Sequence, residues 1–327
     1  MIADRRRLVA GVLDGDPRAI ARSISLVEAE GAAGADVIKG VFRQSGRATL
    51  LGVTGAPGVG KSSLVDRLVT TVRGDGRTIG VLAIDPTSPF SGGAILGDRV
   101  RMQTHTGDVG VFVRSMATRG ELGGLARAAG DAVVILDAAG FDLIVIETVG
   151  VGQAEVEISR TADMTVVVTM PGAGDGVQAL KAGVMEIADL FVVNKADHDG
   201  ADRAVAEIQT MLGLHPYQPE EWRPPVLQTR ATDGTGVPEV LRMIDAYCAR
   251  GDTEVGRRRR ARFEARVRHL VSENLLRHVE QQALEPGAFA RILDQVVATE
   301  VDPYTAAEAI VRQAVNTTSP PADTFSS

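Results

Sequence analysis

Gly55-Ala56-Pro57-Gly58-Val59-Gly60-Lys61-Ser62 fits the pattern G-x-x-x-x-G-K-[ST] at every fixed position, with Ser63 following it. The glycines let the backbone turn tightly enough for successive N–H groups to face phosphate oxygens, and a helix opening at Lys61 adds the positive end of its dipole. In such a loop Lys61 reaches the β- and γ-phosphates and the Ser62 hydroxyl binds Mg²⁺. The chemistry is the binding of a nucleoside triphosphate. Asn194-Lys195-Ala196-Asp197 then fits N-K-x-D. Its Asp197 carboxylate accepts from the N1–H and N2–H₂ edge of guanine, which adenine cannot offer because its N1 is an acceptor. Asn194 would tie the loop together and approach N7, while the Lys195 stem lies along the base. The expected ligands are therefore GTP and GDP with Mg²⁺.

Glu147-Thr148-Val149-Gly150 closes an apolar run, Leu143-Ile144-Val145-Ile146, in the place of a D-x-x-G motif. Glu147 can hold Mg²⁺ directly or through water, and the Gly150 N–H can sense a γ-phosphate. Val151 follows where a catalytic glutamine would orient the attacking water, so intrinsic hydrolysis should be slow. Asp85 and Asp98, which flank a Gly/Ser/Pro-rich stretch suited to a mobile switch, are further candidates for the metal shell or for placing the nucleophile. Thr229-Arg230-Ala231-Thr232 stands where backbone amides, that of Ala231 among them, could bond guanine O6, although Arg230 departs from the usual serine.

These residues need a scaffold that brings loop ends together. Short β-rich runs at 49–54, 79–84, 110–113, 142–147, 164–169, 190–194 and 225–229 alternate with helical segments. That alternation predicts an α/β fold of the P-loop NTPase kind, a mostly parallel doubly wound sheet, with the direction of the third strand left open. Residues 1–46 read as an N-terminal helical extension, 47–250 as the nucleotide-binding domain, 251–316 as a C-terminal helical extension and 317–327 as a disordered tail. In the C-terminal part Phe263, Val267, Leu270, Val271, Leu275, Leu276 and Val279 make an apolar stripe that demands a partner surface, in this chain or another. The run Arg257-Arg258-Arg259-Arg260 reads as a solvated helix start or subunit contact.

Composition narrows the classes. One cysteine, Cys248, among 327 residues rules out an internal disulfide framework and suits a cytoplasmic location. The net charge of −7 argues against broad nucleic-acid binding, and no apolar run approaches the roughly 18 residues of a membrane span.

Together the segments GAPGVGKSS (55–63), AIDPTSPFSGGAILGDRVRM (83–102), RSMATRGELGGLA (114–126), ETVGVGQAE (147–155) and NKAD (194–197) resemble the MeaB/ArgK-type P-loop GTPases. Those proteins are G-protein chaperones of adenosylcobalamin-dependent methylmalonyl-CoA mutase. The resemblance implies a homodimeric GTPase whose nucleotide state gates cofactor loading into the mutase and protects the mutase from inactivation. It places Lys61 on the phosphates, Ser62, Asp85, Asp98 and Glu147 around magnesium, and Asn194 and Asp197 on guanine. It also suggests that 170–181 is an additional switch, with Asp175, Gln178 and Lys181 turned to nucleotide or partner. A nickel-insertion GTPase is the nearest alternative, but it predicts a Cys/His cluster, whereas His105, His198, His215, His269 and His278 lack ligand spacing. A P-loop small-molecule kinase leaves N-K-x-D unexplained.

Overall fold

The computed structural model describes residues 2–29, 31–86, 105, 107–118, 124–148, 158, 161–172, 185–250, 253–279 and 287–317. Seven strands form one sheet: β1 (Thr49–Thr54), β2 (Ile79–Pro86), β3 (Val111–Thr118), β4 (Leu143–Thr148), β5 (Met164–Thr169), β6 (Leu190–Val193) and β7 (Val226–Gln228). Their order is β3-β2-β4-β1-β5-β6-β7 and every pairing is parallel. Continuous apolar runs such as Leu143–Ile146 are what strands covered on both faces require.

Side-chain parity assigns the two faces. Leu51, Val53, Val81, Leu143, Val145, Met164 and Val166 join the core beneath α4 (Lys61–Gly74) and a later helix, Val237–Ala249. Leu50, Leu82, Ile144 and Ile146 point the other way, into a core shared with α5 (Gly124–Ala138) and the N-terminal helices α1 (Ile2–Leu13), α2 (Pro17–Glu28) and α3 (Ala32–Val41). A helix at Ala201–Leu212, here α6, covers Phe191 and Val193 on that second face, and Val237–Ala249 becomes α7. The N-terminal helices are thus a wall of the main core, with Ile20 and Ile24 fully buried.

β3 extends five residues beyond the expected 110–113 and runs parallel to β2, from Ile79↔Val111 to Pro86↔Thr118. Arg114 and Ser115 hid it, because they interrupt the apolar run. An edge strand tolerates such residues: Arg114 donates to Glu28 Oε2 at 2.6 Å and to Ser25 Oγ at 3.0 Å. Asn194 likewise falls just outside β6, in the loop that follows it.

The arginine run differs more from its reading. It lies in the first turns of α8 (Thr253–His278), and two of its members are not solvated. Arg258 grips both carboxylate oxygens of Asp189 at 2.6 and 2.8 Å. Arg259 bonds Asp163 Oδ2 at 2.9 Å and the carbonyl of Ala48 at 3.0 Å. Both aspartates are buried and also accept main-chain amides at strand starts, Leu50 N–H on Asp163 at 3.1 Å and Thr165 N–H on Asp189 at 2.8 Å. Burial would lower the Arg258 pKa, but the hydrogen bonds and charge of Asp189 outweigh it and raise the value. The cations are therefore the counter-charges of the sheet's amino-terminal edge.

The chain divides into two compact units, Met1–Arg260 and Ala261–Ser327. The second contains the rest of α8, α9 (Ala288–Val297) and α10 (Pro303–Thr317), with Val279, Ala288 and Ile310 in a small cluster. Within the expected stripe Phe263, Val267, Val271, Leu275 and Leu276 are exposed. Thr317 ends α10, and the remainder of the expected tail lies outside the described residues.

Candidate functional site

β1 stands between β4 and β5: from β1 the chain steps across β4 to β2, and from β4 it steps across β1 to β5, in the opposite direction along the sheet. A reversal of this kind opens a crevice at the carboxyl ends of the strands. The loop 55–60 leaves β1 at that crevice and delivers the chain to the first turn of α4. Two glycines make the path possible. Gly55 has φ +141° and a Cβ there would lie 2.0 Å from the Val168 carbonyl oxygen; Gly60 has φ +93° and its Cβ would lie 2.4 Å from Asn194 Nδ2.

Lys61 is buried, and its Nζ donates to the carbonyls of Gly55 at 2.8 Å and Ala56 at 3.0 Å. The ammonium is therefore held over the loop's own arc, beside the first-turn amides of α4 that have no intrahelical acceptor. Val59 is buried beneath the loop, while Pro57 and Gly58 face outward.

Strand parity explains the next contact. Leu143 and Val145 face α4, so Glu147 does too, opposite Val53 in the β1–β4 register. Ser62 Oγ donates to Glu147 Oε1 at 2.6 Å. A hydroxyl and a buried carboxylate side by side at a helix amino terminus are a hard, all-oxygen donor set, which fits Mg²⁺ held jointly with phosphates. Below them Thr148 Oγ1 donates to Thr54 Oγ1 at 3.1 Å, joining the ends of β4 and β1. The backbone of Asp85 lies at the same end of the sheet, one residue past the Ile84↔Thr148 pair. Its side chain lies outside the described residues, as do Asp98, Gly150, Val151, Asp175, Gln178 and Lys181.

Asn194 joins the remaining pieces. Its Nδ2 donates to the Val59 carbonyl at 2.9 Å, while its Oδ1 accepts from Thr229 Oγ1 at 3.0 Å and from the Ala231 amide at 3.1 Å. One side chain thereby links the phosphate loop to the loop after β7. The Ala231 amide, which sequence reasoning assigned to guanine O6, donates here to Asn194. Lys195, at φ +57°, donates from Nζ to the Gly58 carbonyl at 2.9 Å, so its stem crosses the space between the two loops. Asp197 is half exposed, with His198 Nε2 at 3.9 Å. The phosphate loop and the 194–197 motif are thus brought together although more than a hundred residues separate them.

The loop after β7 is a closed turn. Arg230 N–H donates to the Thr235 carbonyl at 2.9 Å, and Asp233 Oδ1 accepts from the Thr235 amide at 3.0 Å. Arg230 also pairs with Asp233, and this hydrogen bond is the main reason why the Asp233 carboxyl is lowered to about 2. The serine-to-arginine departure seen in sequence thus gains a role in fastening the turn. Sequence reasoning missed two further anchors. Arg67, on α4, reaches this turn, and His105 Nε2 lies 3.1 Å from Asp66 on the same helix. Arg67 could have been suspected only as a cation on the helix flank, because nothing local in sequence identifies its acceptors. Among the described residues no group of three or more His, Cys, Asp or Glu is arranged to hold a metal ion, and no helix is long and apolar enough to cross a membrane.

A comparison with solved structures shows the same fold in a protein titled LAO/AO transport system kinase: 24% identity, TM-score 0.69, covering 95% of this chain and 97% of that one. Sequence relatives are closer. A Pyrococcus abyssi chain named as a GTPase is 46% identical over 312 residues, 94% of this chain and 96% of its own. The mitochondrial methylmalonic aciduria type A homolog of Caenorhabditis elegans is 32% identical over 329 residues, 94% of this chain and 82% of its own. Residues 20–283 match the family described as methylmalonyl Co-A mutase-associated GTPase MeaB, a span that takes in the loop at 55–62, Glu147 and the 194–197 motif. The match joins the nucleotide site to the helices on either side of it, and the chain belongs to the MeaB family.

Proposed function

We propose that this chain is a GTP-hydrolysing molecular switch that chaperones an adenosylcobalamin-dependent acyl-CoA mutase, methylmalonyl-CoA mutase, gating cofactor loading and protecting the mutase from inactivation. The observation that carries the nucleotide half is Asn194, whose amide bonds both the phosphate loop and the loop after β7. A site so linked can report which phosphates are bound through the same side chain that orders the base loop. Lys61 would hold the β- and γ-phosphates, and Ser62 and Glu147 would hold Mg²⁺, which supplies positive charge to the transferring phosphoryl group. Asp197 would read the guanine N1–H and N2–H₂ edge. With Val151 in place of a water-orienting glutamine, hydrolysis is slow until a partner completes the site. The mutase half rests on family membership.

Two measurements test the halves separately. Purified chain is mixed with methylmalonyl-CoA mutase, and the GTP turnover rate is expected to rise at least about tenfold, as when a missing catalytic group is supplied in trans. An unchanged rate together with no nucleotide-dependent co-purification removes the mutase reading. For the base, Asp197→Asn is expected to weaken GTP binding by about 10- to 100-fold through loss of charge-assisted hydrogen bonds. Equal affinity of the variant and the parent chain for GTP removes the guanine assignment.

We also propose that two copies pair through the C-terminal extension. Val267, Val271 and Leu275 are each more than half exposed at spacings of four on one helix, an arrangement that a second apolar surface would cover. Leu275→Glu is expected to shift the sedimenting species from dimer to monomer; a parent chain that sediments as a monomer at micromolar concentration contradicts this pairing.

A further inference from the structure

Arg67 extends from the flank of α4, the helix that begins with Lys61. Its Nε donates to the carbonyl of Ala231 at 3.1 Å and its Nη2 to the carbonyl of Thr232 at 2.6 Å. A guanidinium is a rigid planar fork, and two consecutive carbonyls held by one fork have their peptide planes fixed relative to the helix that carries it. Ala231 is itself buried, and its amide is held from the other side by Asn194. The turn is closed behind these residues by the Arg230–Thr235 pairing. The loop after β7 is thus gripped between two residues that both belong to the phosphate end of the site: Asn194 through Val59, and Arg67 through α4.

We propose that Arg67 is a specificity-determining positioning residue: by holding the Ala231 carbonyl it orients the peptide whose other end is the Thr232 N–H, the donor that would meet O6 of a guanine nucleotide since the Ala231 N–H is taken by Asn194, and so it couples recognition of the base to the phosphate-loop helix. The inference rests on the guanine reading and deepens it. Arg67 touches no substrate atom in this scheme; it acts through Ala231 and Thr232. The chemistry separates this role from that of Asp197. Asp197 would address N1–H and the N2 amino group, whereas the Thr232 N–H would address the six-position oxygen.

The test compares affinities of the full-length chain for GDP, 6-thio-GDP, IDP and ADP by titration calorimetry. 6-Thio-GDP changes only the six-position acceptor, and IDP lacks only the N2 amino group. The parent chain is expected to prefer GDP over 6-thio-GDP by about fivefold or more, the worth of a neutral hydrogen bond. In Arg67→Ala that ratio is expected to fall towards one while the GDP:IDP ratio stays at its parent value. Arg67→Lys keeps a charged donor without the planar fork and is expected to give an intermediate ratio; it also provides the reading if the alanine variant does not fold. Unchanged ratios in whichever variants fold overturn the proposal. So does a joint collapse of both ratios, which would mean general loosening. A parent chain indifferent to 6-thio-GDP overturns it as well. A parent chain that binds ADP as well as GDP instead overturns the guanine reading beneath it.

Discussion

Lys61→Ala is expected to lower single-turnover GTP hydrolysis by about 10²- to 10³-fold, the loss found when one preorganised donor is removed from developing negative charge. The ammonium is buried and already fastened to the Gly55 and Ala56 carbonyls, so it needs little reorganisation to meet a phosphate on the same arc. Its removal leaves two loop carbonyls without that donor and takes a buried aliphatic stem out of the site, so the stability cost should be about 1–3 kcal/mol, less than a typical fold has available. The variant should therefore stay folded by thermal melting while losing turnover. GTP affinity should fall more than that of GMP, which lacks the phosphates Lys61 addresses. Hydrolysis within about threefold of the parent would remove Lys61 from the phosphate site.

Asp163→Ala is expected to destabilise the main unit by about 3 kcal/mol, a large part of the 5–15 kcal/mol available to a typical fold. The side chain is 1% exposed and receives both Arg259 and the Leu50 amide. Removing it leaves a partly buried guanidinium and a strand N–H without their acceptor. Asp163→Asn keeps an acceptor oxygen for Leu50 and should lose less. Urea denaturation checks the pair: the midpoint should fall in the order parent, asparagine, alanine, with the slope retained. An alanine midpoint equal to the parent's would mean that the pair contributes nothing net.

Most of the fold was legible because its signals are local. Seven apolar runs, each a handful of residues, marked seven strands, and the phosphate loop marked both the strand before it and the helix after it. β3 was cut short for a reason equally local, since Arg114 and Ser115 carry no apolar signal on an edge. The site was legible where a motif carries its own geometry, as at 55–62 and 194–197. It was not legible where a role depends on a distant acceptor. Arg67 meets Ala231 across 164 residues, and Arg259 meets Asp163 across 96. No periodicity encodes such pairings; they arise when parallel strands bring remote loop ends to one edge. Arg258 and Arg259 were misread for this reason, because a run of four like charges normally lies in water.

Gly60 carries a consequence that concerns how this site can change over generations. A side chain there would meet Asn194 Nδ2 at 2.4 Å as well as being strained at φ +93°. The phosphate loop and the base motif are therefore not separate modules open to independent exchange. Any side chain at Gly60 would displace the Asn194 amide from the Val59 carbonyl and would still bear the left-handed backbone, so making room at Asn194 does not by itself admit it. Change in the phosphate loop at this position should therefore come together with change in the loops that Asn194 ties to it.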